Sequence, residues 1–224
     1  MSKLSRGQKG EQLVIDTINR IKEYHHLLNS VTFVNKTSEM SHQIDHILIH
    51  PYGIFVIETK NYYGELTYDE KTKQWWKQVN NEKTRVNNPL LQNKSHQHTL
   101  YKALKGQFKP ISVIVFVQNN APYFPDETVI NLQDLLTFID NYPYEHKFTK
   151  PTMEKIKQMI ERKSKDISLE DHLTNIHILK TVRKEQEQEK AYAIENGKCP
   201  WCDAKMISRG LEFKCSKCEF KFKL

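Results

Sequence analysis

The stretch that most constrains the fold is Gln43 to Lys60, which reads Q-I-D-H-I-L-I-H-P-Y-G-I-F-V-I-E-T-K. Two runs rich in β-branched and aromatic residues flank His50-Pro51-Tyr52-Gly53. Proline suits the second position of a type I turn and glycine the fourth, so the segment is expected to form a β-hairpin. With Ile49 opposite Ile54, Asp45 falls across from Glu58. Side chains alternate faces along a strand, so Asp45, Ile47 and Ile49 share a face with Ile54, Val56, Glu58 and Lys60. One end of an apolar face then carries two carboxylates and an ammonium. Carboxylates opposed across a strand pair, with Cβ atoms about 5 Å apart, repel each other unless positive charge lies between them. Two hard oxygen ligands so placed suit Mg2+ (or Mn2+) and phosphoryl chemistry, and Lys60 can reach in to orient a water and stabilise charge on phosphorus. A same-face ion pair on a solvated edge is the plainer alternative. Asp45 in matching register and the apolar positions between these residues weigh against it.

The flanking sequence supplies candidates for the same site. A helix is expected from Ser5 to about Leu28, with Val14, Ile18, Ile21 and Leu28 on one stripe. Extending that stripe back reaches Glu11, next to Gly7 and Gly10, although a glutamate in a first turn is also favoured by the helix dipole alone. Val31 to Val34 reads as a strand. His42, His46 and His50 have a four-residue spacing that converges only on a helix, so on a strand they are not expected to be ligands. Glu65 to Tyr68 and Gln74 to Val79 read as a meander extending the central sheet, with Trp75 and Trp76 on opposite faces. Asn88-Pro89 opens a helix, Asn88 capping it. Gln92, near its start, can hold a phosphate, a water or Lys60. Ile111 to Val117 is almost continuously apolar, as in a parallel strand of an α/β sheet buried on both faces. A loop at Ala121 to Pro125, a short strand Thr128 to Ile130 and a helix capped by Asn131 complete a first domain, 1–142. Helical patterns from Pro151 to Lys165 and from Leu169 to Glu195 form an expected helical linker, 143–196.

The last unit, 197–224, carries all four cysteines. Cys199-Pro200-Trp201-Cys202 is followed by twelve residues and then Cys215-Ser216-Lys217-Cys218. Two C-x-x-C pairs at this separation signal a tetrahedral zinc site of four thiolates, a zinc ribbon, and so short a tail needs Zn2+ to fold. From Lys198 to Lys223 seven basic residues face three acidic ones. Trp201, Lys205, Arg209, Phe213, Lys214 and Lys217 are the candidate nucleic-acid contacts, because cations interleaved with aromatics suit single-stranded or irregular nucleic acid. A structural or protein-binding ribbon is the alternative. The formal net charge of +7 over 224 residues also favours a polyanionic partner. A run of about 18 apolar residues and a signal-peptide core are both missing, so a soluble, cytoplasmic protein without a membrane partner is expected.

Gly10-Glu11, Gln43-Ile44-Asp45-His46-Ile47, Gly53 through Asn61, Gly64, Trp76 and Asn88-Pro89-Leu90-Leu91-Gln92 together resemble the nuclease-related domain (NERD) family, placed within the restriction-endonuclease-like PD-(D/E)xK superfamily. Ile44 precedes Asp45 where the superfamily motif has proline, in agreement with the I-D-H form of the NERD family. The resemblance implies an α/β fold with a mixed central sheet flanked by helices, and Mg2+-dependent cleavage of phosphodiester bonds. Asp45, Glu58 and the Thr59 carbonyl would hold the metal, Lys60 would orient water, Glu11 would be an auxiliary acid and Gln92 a polar partner on a helix. The tail resembles the zinc ribbon of bacterial type I topoisomerases, which contacts single-stranded DNA. Its Cys-Ser-Lys-Cys knuckle is shorter than the topoisomerase form. The expected function is therefore a nuclease acting on single-stranded or duplex DNA, a homodimer being a sensible arrangement for cutting both strands. The rivals are a non-catalytic DNA-binding protein with an inactive nuclease fold and a protein-interaction module.

Overall fold

The computed structural model describes residues 4–34, 41–120, 128–144, 147–164 and 184–224. It divides into two compact units, Met1–Ile167 and Ser168–Leu224. In the first, a five-stranded sheet has the order β1-β2-β3-β7-β8, where β1 is His26–Val34, β2 Ser41–His50, β3 Gly53–Lys60, β7 Ile111–Phe116 and β8 Val129–Asn131. The first three strands are antiparallel, and β7 and β8 join in parallel. The sheet is therefore mixed, as expected. Ile49 pairs with Ile54 and His46 with Ile57, which is the register set by the Pro51-Tyr52-Gly53 turn.

Alternation along β2 and β3 sorts neighbouring residues onto two cores. Ile47, Ile49, Ile54 and Val56 pack with Leu100 and Leu104 at the end of helix α2 (Pro89–Ala103) and with Met153, Ile156 and Ile160 of α4 (Lys150–Glu161). Leu48, Phe55 and Ile57 pack on the other face with Val14 and Ile18 of α1 (Arg6–Ile18) and Leu135 and Ile139 of α3 (Leu135–Asn141). Each fully buried aliphatic side chain here contributes roughly 1.5–3 kcal/mol of transfer free energy.

Three expectations are corrected. The first helix stops at Ile18 rather than near Leu28, and the strand that follows starts at His26. Leu27 joins one core and Leu28 the other, a period of two that a helix cannot produce. The meander β4 (Glu65–Asp69), β5 (Gln74–Val79) and β6 (Glu82–Val86) forms its own three-stranded sheet instead of extending the central one. Gly64, at φ +96°, turns the chain away, and a Cβ there would meet Gln78 O at 2.2 Å. The meander attaches through side chains: buried Trp75 stacks on Phe116 with ring centres 5.9 Å apart, while Trp76 lies under Lys83. Finally, the first unit runs past residue 142. Helix α4 presents Met153, Ile156 and Ile160 at i, i+3 and i+7 to the core, so the span expected to be linker contributes a packed element. The expected loop from Ala121 to Pro125 and most of the second linker helix lie outside the described residues.

In the second unit a helix, α5, spans 184–196 and is followed by a small sheet of β9 (Met206–Arg209), β10 (Glu212–Cys215) and β11 (Lys221–Lys223). Ala193 is buried with Cys199, Met206, Cys215 and Phe220. Trp201 Nε1 donates to Glu189 at 2.8 Å. The last turns of α5 are thus part of the ribbon's core.

Candidate functional site

The site lies where β2 and β3 part. Their ladder ends at His46 and Ile57, and the next step along each strand brings Asp45 beside the Glu58-Thr59 peptide. Thr59 N donates to Asp45 Oδ2 at 2.8 Å, so the carboxylate is tied to the opposing strand. Ser30, on the far side of Asp45 in β1, adopts φ +51°, and the β1–β2 ladder is interrupted between Asn29 and Val31. That irregularity shifts the facing of β2: Ile44 joins the same core as Ile47 despite its odd spacing.

Glu58 is 2% exposed and is gripped from two elements. Lys60, two residues along β3, donates Nζ–H to Glu58 Oε1 at 2.5 Å and to Gln92 Oε1 on α2 at 2.9 Å. His96, one turn further along α2, brings Nδ1 to 3.2 Å from Glu58 Oε2. That approach lacks hydrogen-bond alignment, which leaves both atoms buried without a hydrogen-bond partner. Helix α2 is seated by Asn93, whose side-chain NH2 donates to Val56 O and Val113 O at 3.0 Å each and to Ser112 Oγ at 2.8 Å. Glu11 comes from the opposite side on α1. Its helix approaches β3 closely because Gly10 has no side chain, and a Cβ there would lie 2.8 Å from Asn61 Cβ. Asn61 then clamps the junction, donating Nδ2–H to Arg6 O at 2.7 Å and accepting from Gln118 Nε2 at 2.7 Å.

The charges are out of balance. Burial pushes the Asp45 carboxyl up to about 8, assisted by the negative charges of Glu58 and, less strongly, Glu11, and opposed by the Thr59 N–H and Lys60. Asp45 as a residue keeps some exposure, yet its carboxyl is deep enough for desolvation to dominate. Burial and the Glu58 charge also raise Glu11. For Glu58 burial acts upward, but His96 and Lys60 outweigh it and hold the group below its ordinary value. Burial would depress Lys60, and Glu58, Tyr62 and Asp45 together hold it above its ordinary value instead. Lys60 is engaged by Glu58 and Gln92, leaving Asp45 and Glu11 as an acidic surplus. That donor set fits a hard divalent cation. Among the described residues, though, it is the cysteines alone that bring three or more ligand atoms within 4.8 Å of one another.

Those cysteines are the four expected. Cys202 and Cys215 Sγ lie 3.4 Å apart, and Cys218 Sγ lies 3.6 Å from both Cys199 and Cys202. A tetrahedral zinc with Zn–S bonds of about 2.3 Å has sulfur–sulfur edges of about 3.8 Å, so the cluster fits that ion. Lys217 N and Cys218 N each donate to Cys215 Sγ at 3.3 Å, which draws that thiol down to about 6. Of the expected nucleic-acid contacts, Lys205, Arg209, Lys214 and Lys217 are exposed. Trp201 is 63% exposed and packs one side against Phe220. Phe213 is stacked on Phe222 at 4.9 Å.

The sequence placed Asp45, Glu58, Lys60, Thr59, Gln92 and Glu11 in one neighbourhood, and the fold brings them there. It missed His96 and Asn93. Gln92 and His96 are four apart on a helix and so face one side, as Glu58 and Lys60 are two apart on a strand; matching those two periods was the available signal. His46 and His50 are core residues. His46 Nδ1 pairs with Asn29 Oδ1 at 2.8 Å, and burial pushes the ring down to about 4.

Comparison with known proteins adds a family. A model of the nuclease-related domain matches residues 6–117, half of the chain. An uncharacterized protein of Bacillus anthracis is 30% identical over 144 residues, covering 61% of this chain and 67% of that protein. No solved structure gives a significant match.

Proposed function

Since the chain belongs to the nuclease-related domain family, we propose that it is a divalent-metal-dependent nuclease hydrolysing phosphodiester bonds of DNA. The observation that carries this reading is the buried Glu58–Lys60 pair with Asp45 tied beside it. Burying opposite charges gives little net stability, and burying a surplus of carboxylates costs it. The hydrophobic cores on both faces are complete without these groups, so the fold gives no reason for them.

Asp45, Glu58 and the Thr59 carbonyl would hold Mg2+ or Mn2+, which when bound supplies positive charge to the phosphate and to the departing oxygen. The chain's own residues do the positioning. Gln92 and Glu58 fix the Lys60 ammonium from two sides, and the ammonium orients a water for in-line attack and meets the charge growing on the phosphoryl oxygens. His96 sets its ring against the far oxygen of Glu58, and Glu11 contributes an auxiliary acid from α1. The cysteine ribbon offers Trp201, Lys205, Arg209, Phe213, Lys214 and Lys217 to DNA, with Zn2+ as its structural ion.

The test is incubation of zinc-loaded protein with circular single-stranded, circular duplex and linear DNA, with and without Mg2+ or Mn2+, beside Glu58→Ala. Metal-dependent cutting that disappears in the variant is expected, because Glu58→Ala removes a metal-holding carboxylate and the partner that fixes Lys60. Tight binding without cutting of any substrate would sink the enzyme reading and leave a DNA-binding protein with an inactive nuclease fold.

A further inference from the structure

A second feature of the first unit lies away from the carboxylates. A cavity of about 1170 Å³ runs between the β4–β6 sheet, the start of α2 and the segment following α3. It continues across Lys94, Gln97 and Lys109 into a recess of about 390 Å³ beside Tyr101. The larger volume exceeds the roughly 300–1,000 Å³ of a small-molecule pocket. Four cations line it, Lys73, Arg85, Lys94 and Lys109, and no acidic side chain does so among the described residues. All four are exposed. The helix end of the groove begins at Asn88, Leu90 and Leu91, immediately before Gln92. The other end is at Gly53, the opposite end of β3 from Lys60, about 23 Å away at 3.3 Å per residue.

At that far end two tyrosines form a platform. Tyr52 and Tyr144 stack with ring centres 4.5 Å apart and planes 13° from parallel. Tyr144 is 46% exposed, and Lys147 Nζ sits 5.2 Å from the centre of the Tyr52 ring. Cations along a groove that ends on an exposed aromatic stack are the combination that follows a nucleic-acid backbone while stacking its bases. A base pair within a duplex keeps its faces covered, and a small anion has no use for the rings.

We infer that this groove is a binding track for single-stranded nucleic acid, with Arg85 and Lys94 on phosphates and Tyr144 stacking a base. The inference deepens the nuclease reading, on which it rests, by naming the substrate form and the surface that holds it beyond the carboxylates.

The test is binding of a fluorescent oligothymidylate of about twenty nucleotides to the full zinc-loaded chain, read by anisotropy across a salt series, on an Asp45→Asn background. Replacing Arg85 and Lys94 together by glutamine is expected to flatten the slope of log affinity against log salt by about 1.4, two phosphate contacts at 0.7 each. Tyr144→Ala is expected to weaken binding about tenfold with the slope unchanged, the loss of one stacked base. Unchanged affinity and slope in both variants overturns the track. So does a silent Tyr144→Ala together with inorganic polyphosphate competing as well as the oligonucleotide, since the groove is then an anion site only. Equal affinity for a duplex of the same length, lost in parallel with the single strand, also overturns it. Cleavage assays on the otherwise native chain separate the two readings: groove-dependent binding without any cleavage removes the nuclease, whereas normal cleavage with silent groove variants removes the track.

Discussion

In the ribbon two of the four expected ligands belong to the core itself. Cys199 and Cys215 are 1% and 4% exposed and cluster with Met206, Phe220 and Ala193. At the hairpin end the ligands sit beside cores that close without them, Ile47, Ile49, Ile54 and Val56 on one face and Leu48, Phe55 and Ile57 on the other. Four thiols within 4.8 Å of one another, with a handful of apolar neighbours, cannot define a fold unaided. Asp45, Glu58 and Lys60 are instead a burden on a fold that could do without them. The same kind of atom set therefore has opposite meanings: one metal would build structure, the other would use structure already built.

The sharpest break between the two regions is expected on removing metal. Structural zinc contributes roughly 10–16 kcal/mol of binding free energy at neutral pH, which in a small unit is its folding free energy. Chelation, or Cys215→Ala, should abolish amide protection across 199–223 while leaving protection of β2, β3 and β7 intact. Hydrogen exchange followed by mass spectrometry reads both regions in one experiment. Loss of protection in the central sheet would show that the two units do not fold independently, and full protection of the cysteine segment would show that its apolar cluster suffices.

Stability as a function of pH sharpens the other half. Asp45 is raised from an ordinary 3.8 to about 8, so between those values the folded chain holds a proton that the unfolded chain has released. His46, lowered from 6.5 to about 4, works the other way below about 6.5, as does His50. The net fall in stability of the metal-free protein is therefore expected as pH rises from about 6.5 to about 8, by at most about 1.4 kcal/mol per unit, levelling off above. Glu58 acts oppositely: being lowered, it adds stability above its ordinary 4.5 that is lost only at more acid pH, outside this window. Asp45→Asn should flatten the slope. A cation at this site must displace the Asp45 proton, so Mg2+ should raise Tm more at pH 8 than at pH 6. A gain equal at both would show that Asp45 is not a ligand.

Legibility in the sequence followed the range of the forces involved. The hairpin register could be read because one turn and a period of two fix it locally, and the two cysteine knuckles because their spacing is local. The parallel strand Ile111–Phe116 was legible from its continuous apolar run. What the sequence hid were choices made by distant partners. Leu27 and Leu28 fit a helical stripe as well as a strand, and the pairing of residues 26–29 with β2 decided for strand, whereas Val31 to Val34 was legible as a strand. Whether the meander joined the central sheet depended on Trp75 finding Phe116 and on the backbone at Gly64. Helix α4 was legible as a helix, but not as part of the core, because nothing local says which surface an amphipathic stripe will meet. His96 was hidden for a related reason: its role exists only once α2 is laid across β3.

The smallest effect concerns how Lys60 is held. Gln92 supplies one hydrogen bond to the ammonium and Glu58 the other, so Gln92→Ala should cost only about 1 kcal/mol, within the ordinary net range for a hydrogen bond. Lys60→Ala removes the cation paired with a buried carboxylate and should cost about 3–5 kcal/mol. If Gln92 acts only through Lys60, the double variant should be no less stable than Lys60→Ala alone, a coupling of about 1 kcal/mol in a double-mutant cycle by urea unfolding. Additive losses would place Gln92 in the packing of α2 instead. Rescue by Gln92→Glu separates the roles further: a carboxylate keeps the contact to the ammonium but adds charge to an acidic site, so stability should recover while Asp45 is pushed higher still. The site should then need less Mg2+ at neutral pH to reach the same Tm gain, because the added charge attracts a divalent cation more strongly than the single proton it displaces, an effect that a residue serving only to fill space between α2 and β3 would not produce.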